Sequence, residues 1–179
     1  LAFSSISQAG YILLGFIGGN QLGMASVIYY ILVYIFSNLG AFGVVIAISN
    51  AAGKENIDDY NGLYHTNPKL SLIMTLALFS LAGIPPVAGF FGKFFLFAAA
   101  AEKGYYLLVL IAVLNTIISL YYYLLVVKAM FINKSETAIE KFRTDFSTRF
   151  ALGICVAGIV VTGFASILFE VIKNLSFGV

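Results

Sequence analysis

The sequence predicts an all-α integral membrane protein, and three observations lead to that fold class. Of the 179 residues, 61% are hydrophobic and only 10% are charged, whereas a soluble domain has about 25% charged residues. The apolar residues form long stretches that reach the roughly 20 residues needed by a transmembrane helix. The stretches must be helical, because an open strand edge in lipid leaves backbone groups without hydrogen-bond partners.

Five apolar stretches are long enough to cross a bilayer, and polar or glycine-containing connectors separate them. We place the spans at about 1–18, 22–49, 69–101, 105–127 and 150–172. No separate soluble segment is evident, so we expect residues 1–179 to form a single membrane domain. Because the chain opens at Leu1, without a methionine and inside an apolar stretch, we interpret it as a fragment.

The third stretch is too long for one straight helix. Its 33 residues would extend roughly 50 Å, against a hydrocarbon core of about 30 Å. Pro85 and Pro86 lack amide donors, and Gly83 and Gly89 free the backbone on either side. We therefore predict a discontinuous helix with segments 69–82 and 90–101 and an irregular connection at 83–89.

This broken helix either crosses the membrane or returns as a hairpin, and the distribution of Lys and Arg favours the crossing. A crossing places seven basic residues on one side and two on the other, whereas a hairpin gives four against five. The positive-inside rule then predicts that loops 50–68 and 128–149 are cytoplasmic and that the C-terminus lies outside. The seven are Lys54, Lys69, Lys128, Lys134, Lys141, Arg143 and Arg149; the two are Lys103 and Lys173.

Lys93 is the strongest candidate for a functional residue. It stands within the apolar run FFGKFFLF, and a charge near the bilayer centre costs about 2.5–3.5 kcal/mol even on lenient scales. Burial favours its neutral form, and so does the positive N-terminal end of the half-helix that begins near Gly89. We expect Lys93 to exchange protons; the alternatives are pairing with an acid on a neighbouring helix or snorkelling to the surface.

Other polar residues in the spans are candidates for a proton path. Ser4 and Gln8 lie on one face of the first span with Tyr11, and Ser7 is beside them. The fourth span repeats the pattern. The simpler alternative is that these groups only bond one helix to another. The candidates are Ser4, Ser7, Gln8, Asn115, Ser119, Tyr122 and Tyr123.

Several classes of site and partner are disfavoured. The net charge of +2 is too small and scattered for a nucleic-acid partner. His65, Asp58 and Asp59 lack further ligands at metal-binding spacing, so we interpret 50–68 and 128–149 as solvated loops. Ile57, Tyr60 and Leu63 suggest a short helix on the membrane surface or on a partner subunit. Cys155 is interpreted as a small buried hydrophobe.

Four segments carry a resemblance to a known family. They are LAFSSISQAGY at 1–11, NLGAFGVV at 38–45, LAGIPPVAGFFGKF at 81–94 and NTIISLYYYL at 115–124. They resemble the C-terminal part of the subunit N family, the antiporter-like membrane subunits of bacterial NADH–quinone oxidoreductase, or respiratory complex I. The match runs through the first four spans, whereas 130–179 agree only in general character.

The resemblance implies a proton-translocating subunit with an inverted-repeat, antiporter-like fold in the bacterial inner membrane. Its partners would be other membrane subunits of the complex, including related antiporter-like ones. Lys93 occupies the position of the family lysine in the second broken helix. The resemblance also implies that NADH, FMN, iron–sulfur centres and quinone bind elsewhere in the complex. We expect no cofactor and no metal here, since the chain has neither a Cys ligand set nor a phosphate-binding glycine loop.

Two departures from the family pattern matter. Gln8 stands where many members have histidine, which weakens a titrating role for the first span, and the first repeat is absent from this chain. The alternatives are a subunit of a multisubunit cation/proton antiporter or of a membrane-bound hydrogenase. From another functional class, the alternative is a membrane scaffold that transports nothing.

Overall fold

The computed structural model describes residues 1–135, 138–163 and 166–177, and every regular element in those ranges is helical. The all-α prediction is therefore confirmed. Besides a 3-10 turn at Ile57–Tyr60, the elements are α1 (Ala2–Gly18), α2 (Gln21–Ala52), α3 (Leu63–Thr66), α4 (Pro68–Ala82), α5 (Ala88–Glu102), α6 (Tyr106–Phe131), α7 (Phe146–Gly163) and α8 (Ser166–Phe177).

Helix α2 is the central element of the fold, and α1, α4, α5, α7 and α8 all pack against it. Among the described helices, α2, α6 and α7 are long and apolar enough to cross a membrane, and α1 and α4 are shorter apolar helices. The outward surface of α6 is largely apolar, with Leu107 and Ile118 among its exposed side chains. Such a surface suits contact with lipid.

The predicted turn between the first two spans is present. Gly19 ends α1 in the left-handed region, with φ at 57°, and the Asn20 side chain accepts a hydrogen bond of 2.8 Å from Gly23 N. A Cβ atom on Gly23 would overlap the Gly15 carbonyl. The two helices therefore pack backbone to backbone just after the turn.

The predicted interruption of the third span is confirmed. Helix α4 ends at Ala82, and Gly83 follows with φ at 80° and donates to the carbonyls of Phe79 and Ser80. Helix α5 begins at Ala88, two residues earlier than predicted. A Cβ atom on Gly89 would overlap the Ser80 carbonyl, so the first turn of α5 lies directly against the last turn of α4. The Pro85–Pro86 peptide bond between them is cis.

The broken helix crosses the molecule and does not return as a hairpin. Successive residues of α4 and α5 meet α2 at successively earlier positions, which means that both segments run in one direction along it. The contacts, in order, are Ala77 with Gly40, Ser80 with Ser37, Gly92 with Tyr30, and Glu102 with Asn20.

The last predicted span, 150–172, is helical wherever the structure describes it, in parts of α7 and α8. Residues 164–165, between those two segments, lie outside the described ranges. The Cβ position of Gly163 is 3.2 Å from Ala88 N, so this part of α7 lies against the start of α5. Cys155 is buried beside Gly40, as predicted.

The two loops predicted to be solvated are instead partly packed against the helices. Tyr60 and Leu63 are 3% and 0% exposed, so the expected surface helix contributes to the core, although Ile57 is exposed. The Gly62 amide donates to the Ala129 carbonyl of α6 over 3.0 Å. Asn67 bonds the second loop through the backbone of Glu140 and Phe142. Buried polar groups need such partners, and sequence periodicity does not reveal them.

The close packing at the helix break yields a first prediction. Gly89→Ala places a methyl group on the Ser80 carbonyl, and overpacking of this kind costs about 1–3 kcal/mol. We expect a lower melting temperature for the subunit in the detergent-solubilised parent complex. Gly10→Ala is the matched control, because nothing lies within 4 Å of its Cβ position. Equal melting temperatures for the two variants would contradict the described contact.

Candidate functional site

Lys93 lies inside the molecule with its ammonium group at the break between α4 and α5. The residue is 3% exposed, and Nζ donates to the carbonyl oxygens of Leu81 over 2.8 Å and Ala82 over 3.3 Å. These carbonyls belong to the last turn of α4, where a helix has no internal donors left. Lys93 therefore caps the C-terminal end of α4.

This position corrects one part of the electrostatic expectation. The positive N-terminal end of α5 was expected to disfavour a protonated Lys93, but the ammonium group contacts the C-terminal end of α4. That end carries the partial negative charge of the helix dipole, which favours a cation. Nζ also lies 4.8 Å from the centroid of the Tyr11 ring, a cation–π arrangement. Among the described residues, the contacts of the ammonium group are thus two carbonyl oxygens and an aromatic ring.

Gln8 is fully buried and shares an acceptor with Lys93. Its Nε2 donates to Leu81 O over 3.0 Å, the same carbonyl oxygen that accepts from Lys93. Nε2 also lies 3.1 Å from the Tyr123 hydroxyl, and Oε1 accepts a hydrogen bond from the Tyr30 hydroxyl. One uncharged side chain of α1 thus joins α2, α4 and α6.

The hydrogen-bonded series continues from Gln8 to Ser4. The Tyr123 hydroxyl is bonded to Ser4 Oγ, and both residues are buried. Ser4, Ser7, Tyr122 and Tyr123 also line a cavity of about 480 Å³. We call the connected set Ser4, Tyr123, Gln8, Leu81 O and Lys93 the polar series.

Not every candidate joins this series. Ser119 donates to the Asn115 carbonyl of its own helix over 2.8 Å and accepts from Tyr122 over 3.0 Å. The described hydrogen bonds of Ser119 therefore stay within α6, although the Tyr122 ring is 4.7 Å from that of Tyr123. The candidate role of Asn115, Ser119 and Tyr122 remains a prediction.

Sequence reasoning missed Tyr30 and Thr116. Tyr30 is 3% exposed and bonds Gln8, and Thr116 lies 3.2 Å from the Tyr11 hydroxyl. A signal was present for Tyr30, because a tyrosine deep within an apolar span needs a partner for its hydroxyl. The four positions predicted for the break are Gly83, Pro85, Pro86 and Gly89. Of these, Gly83 lies beside Lys93, since its Cβ position is 3.1 Å from Lys93 Cδ, and Gly89 lies against Ser80.

A family model matches residues 1–119 of the chain, and its description is the transmembrane region of NADH:quinone oxidoreductase and Mrp antiporters. The chain belongs to this family. It is accordingly a multi-pass membrane protein, in agreement with its apolar helices. The match includes α1, α2, α4 and α5 and extends to Ser119, within α6.

Individual relatives agree with this assignment. The chain is 58% identical over 180 residues to the NADH-quinone oxidoreductase subunit N of Azobacteroides pseudotrichonymphae, an alignment that covers 99% of this chain and 38% of that protein. Its fold matches a chain of respiratory complex I from Thermus thermophilus, with a TM-score of 0.70 and 30% identity over 99% of this chain and 38% of that one.

A chain of the Mrp complex from Dietzia sp. DQ12-45-1b has the same fold, with a TM-score of 0.85. At 23% identity, over 97% of this chain and 41% of that one, the likeness concerns the fold alone. The present chain thus spans about two fifths of the length of the proteins that it matches. Among the described residues, no group of three or more His, Cys, Asp and Glu is placed to hold a metal ion.

The bonds of Gln8 yield a second prediction. Gln8→Leu leaves the buried Tyr30 hydroxyl without its acceptor and removes one donor from Tyr123, and each unsatisfied group costs about 1–3 kcal/mol. We expect a clearly lower melting temperature of the subunit. Gln21→Leu is the matched control, because Gln21 is exposed at the start of α2 and surface changes stay within about 0.5 kcal/mol. Equal melting temperatures for both variants would contradict the role of Gln8 as a helix connector.

Proposed function

We propose that this chain is part of a proton-translocating membrane subunit of NADH:quinone oxidoreductase. The 58% identity to a relative that bears the name subunit N supports this assignment. As such, the chain serves an enzyme complex but performs no redox chemistry itself. NADH, FMN, iron–sulfur centres and quinone would bind in other subunits, and the partners would include other membrane subunits of the complex.

The placement of Lys93 carries the proposal. A carboxylate next to a lysine stabilises the ammonium form and holds the proton, whereas the described contacts of Nζ are two carbonyl groups and an aromatic ring. Neutral acceptors also bond the ammonium group, but deprotonation to the amine costs less free energy beside them than beside a carboxylate. We propose Lys93 as the proton carrier of the path.

The remaining residues of the polar series would have different roles. The hydroxyls of Ser4 and Tyr123 both donate and accept, so they can pass a proton along a hydrogen-bonded row that includes water. The amide of Gln8 only donates at Nε2, and it points at the same carbonyl as Lys93 does. Two donors on one acceptor cannot exchange a proton directly. Gln8 is therefore a positioning residue, and a water molecule or a movement of Lys93 must complete the path.

We further propose the bacterial inner membrane as the location of the chain, with loops 50–68 and 128–149 in the cytoplasm and the C-terminus outside. The seven-to-two distribution of basic residues supports this orientation.

A second candidate function, a subunit of a cation/proton antiporter, is supported by the family description, which includes Mrp antiporters. Both functions would use Lys93 in the same way.

Substitution of Lys93 tests the proton-carrier role. Arginine keeps its proton throughout the physiological range, so Lys93→Arg preserves a charge that caps α4 but does not release protons. We expect both Lys93→Arg and Lys93→Ala to lower proton pumping by about 100-fold, the lower end of what a positioned proton-transfer group contributes. The measurement is proton uptake per NADH oxidised in vesicles that contain the reconstituted complex.

The same two substitutions at Lys69 provide the control, since that lysine is exposed at the start of α4. Assembly of each variant complex is checked by native gel before pumping is measured. An assembled Lys93→Arg complex that pumps at the normal rate and proton-to-electron ratio would eliminate the carrier role. The scaffold alternative would then stand.

The proposed orientation has its own test. Lys134 and Lys103 are both exposed, one in the loop after α6 and the other in the turn before it. A cysteine that replaces Lys134 should react with a membrane-impermeant maleimide from the cytoplasm, and one that replaces Lys103 should react from the opposite side. Labelling of Lys103→Cys from the cytoplasm would reverse the assignment.

A further inference from the structure

Among the described contacts of the Lys93 ammonium group, Tyr11 supplies the one that comes from a side chain. Nζ lies 4.8 Å from the centroid of the Tyr11 ring, whereas its two hydrogen bonds go to backbone carbonyls at the end of α4. Any residues at positions 81 and 82 would offer those carbonyls, but only an aromatic residue at position 11 offers a ring. The identity of residue 11 therefore changes the surroundings of Lys93 while its backbone acceptors stay the same.

Two other helices hold the Tyr11 ring in place. Phe97 lies one turn after Lys93 on α5 and meets the Tyr11 ring in a T-shaped arrangement, with ring centroids 5.8 Å apart and planes at 65°. At the hydroxyl end of the ring, Thr116 Oγ1 of α6 lies 3.2 Å from the Tyr11 oxygen. These two contacts restrain the ring that Nζ lies over.

The contact between Lys93 and Tyr11 is shielded from solvent. Tyr11 is 2% exposed and Lys93 is 3% exposed, and Tyr11 belongs to the buried cluster that includes Leu14 and Leu96. Attraction between a cation and the face of an aromatic ring is stronger without water, and it favours the charged form by about 2- to 30-fold. The ring attracts the ammonium form of Lys93 and has no comparable attraction for the neutral amine.

The titratable groups that face this part of α5 are phenols, which are uncharged in the neutral range. Besides Tyr11 they are Tyr29 and Tyr30 of α2, which lie against Phe95 and Gly92, and Tyr123 of α6, which reaches the site through Gln8. The thiol of Cys155 lies beside Gly40 of α2, away from the break. The charged residues of the described helices, apart from Lys93, stand in the end turns of α4, α5, α6 and α7 or on α8: Lys69, Glu102, Lys128, Arg149, Glu170 and Lys173.

We propose that Tyr11 is a positioning residue for Lys93: its ring holds the ammonium form at the break and thereby sets the pH range in which Lys93 takes up and releases protons. This inference rests on the proposed function. The proton moves on and off Nζ, and the ring neither gives nor accepts one. Without the ring the ammonium form is less favoured, so Lys93 takes up a proton only at a lower pH.

Two substitutions at position 11 separate the ring from the hydroxyl. Tyr11→Phe keeps the ring and loses the hydroxyl, whereas Tyr11→Leu loses both. The measurement is protons pumped per NADH oxidised, at a series of pH values, in vesicles that contain the reconstituted complex. In Tyr11→Leu we expect the alkaline half-maximal point of this profile to move about 0.5–1 pH unit to lower pH, within the range of a buried cation–ring contact. In Tyr11→Phe it should stay in place.

Phe16→Leu is the matched control for the loss of an aromatic ring from α1, because Phe16 is 50% exposed and lies in the last turn of that helix, away from Lys93. We expect its pH profile to match that of the parent complex. An unshifted profile in assembled Tyr11→Leu would overturn the proposal. Equal shifts in Tyr11→Phe and Tyr11→Leu would overturn it too, because the hydroxyl and not the ring would then be responsible.

A fluorinated series keeps the proposal testable if Tyr11→Leu does not assemble. Phenylalanine with no, one or three ring fluorines at position 11 keeps the shape of the ring, while each fluorine withdraws negative charge from its face. We expect the alkaline half-maximal point to move stepwise to lower pH as fluorines are added, and equal profiles would overturn the role of the ring. If Lys93→Arg and Lys93→Ala lower pumping but the series shows no shift, this inference alone fails; if Lys93→Arg pumps normally, the proposed function fails.

Discussion

At the end of α4, two backbone carbonyls lack the amide donors that a continuous helix would supply. The site is organised around these two carbonyls. In a lipid environment each unsatisfied carbonyl is costly, and a buried ammonium group is costly as well. Lys93 resolves both costs, because its charge-assisted hydrogen bonds go to Leu81 O and Ala82 O. Lys93 therefore supplies donors to the carbonyls at the break, and the break supplies acceptors to Lys93. A continuous helix at this depth would leave Lys93 without these two acceptors.

Glycine residues determine how closely the other helices approach this break. A Cβ atom on Gly92 would lie 2.8 Å from the Tyr30 ring, so the absence of a side chain at Gly92 lets that ring pack against the backbone of α5. Tyr30 in turn reaches Gln8, whose amide shares Leu81 O with Lys93. Close packing is thus a condition of the hydrogen-bonded network. The same backbone approach explains why the network spans five helices, α1, α2, α4, α5 and α6, although each contributes one or two polar groups.

Much of this arrangement followed from the sequence, and the remainder depended on contacts between distant segments. Length and proline content predicted the broken helix, because they act within one segment, and an isolated lysine in an apolar run marked the site. The identity of its acceptors was not predictable, since it depends on which carbonyls the break frees. Periodicity also misplaced Tyr60 and Leu63 on a surface, because it does not show that Gly62 bonds Ala129 of α6.

The surroundings of Lys93 differ between the two directions along α5. Toward loop 50–68, the polar series leads through Gln8 and Tyr123 to the cavity. Toward the other end of α5, a buried apolar cluster that includes Leu14, Val27 and Leu96 follows directly. Beyond it the Asn20 side chain donates to Glu102 over 2.7 Å and ties the α1–α2 turn to the end of α5.

The aliphatic side chains of this cluster offer no polar contact, and the two hydroxyl groups in it, those of Tyr11 and Tyr30, are bonded to Thr116 and Gln8. A closely packed helix interface does not deform gradually, because packed interiors change between discrete arrangements. The Cβ position of Gly15 is 2.6 Å from the Leu96 side chain, and that of Gly18 is 3.2 Å from the Ala99 carbonyl, so α1 and α5 have no spare volume between them. In the described arrangement the polar series leads from Lys93 toward loop 50–68, and close packing of α1 against α5 lies on the other side.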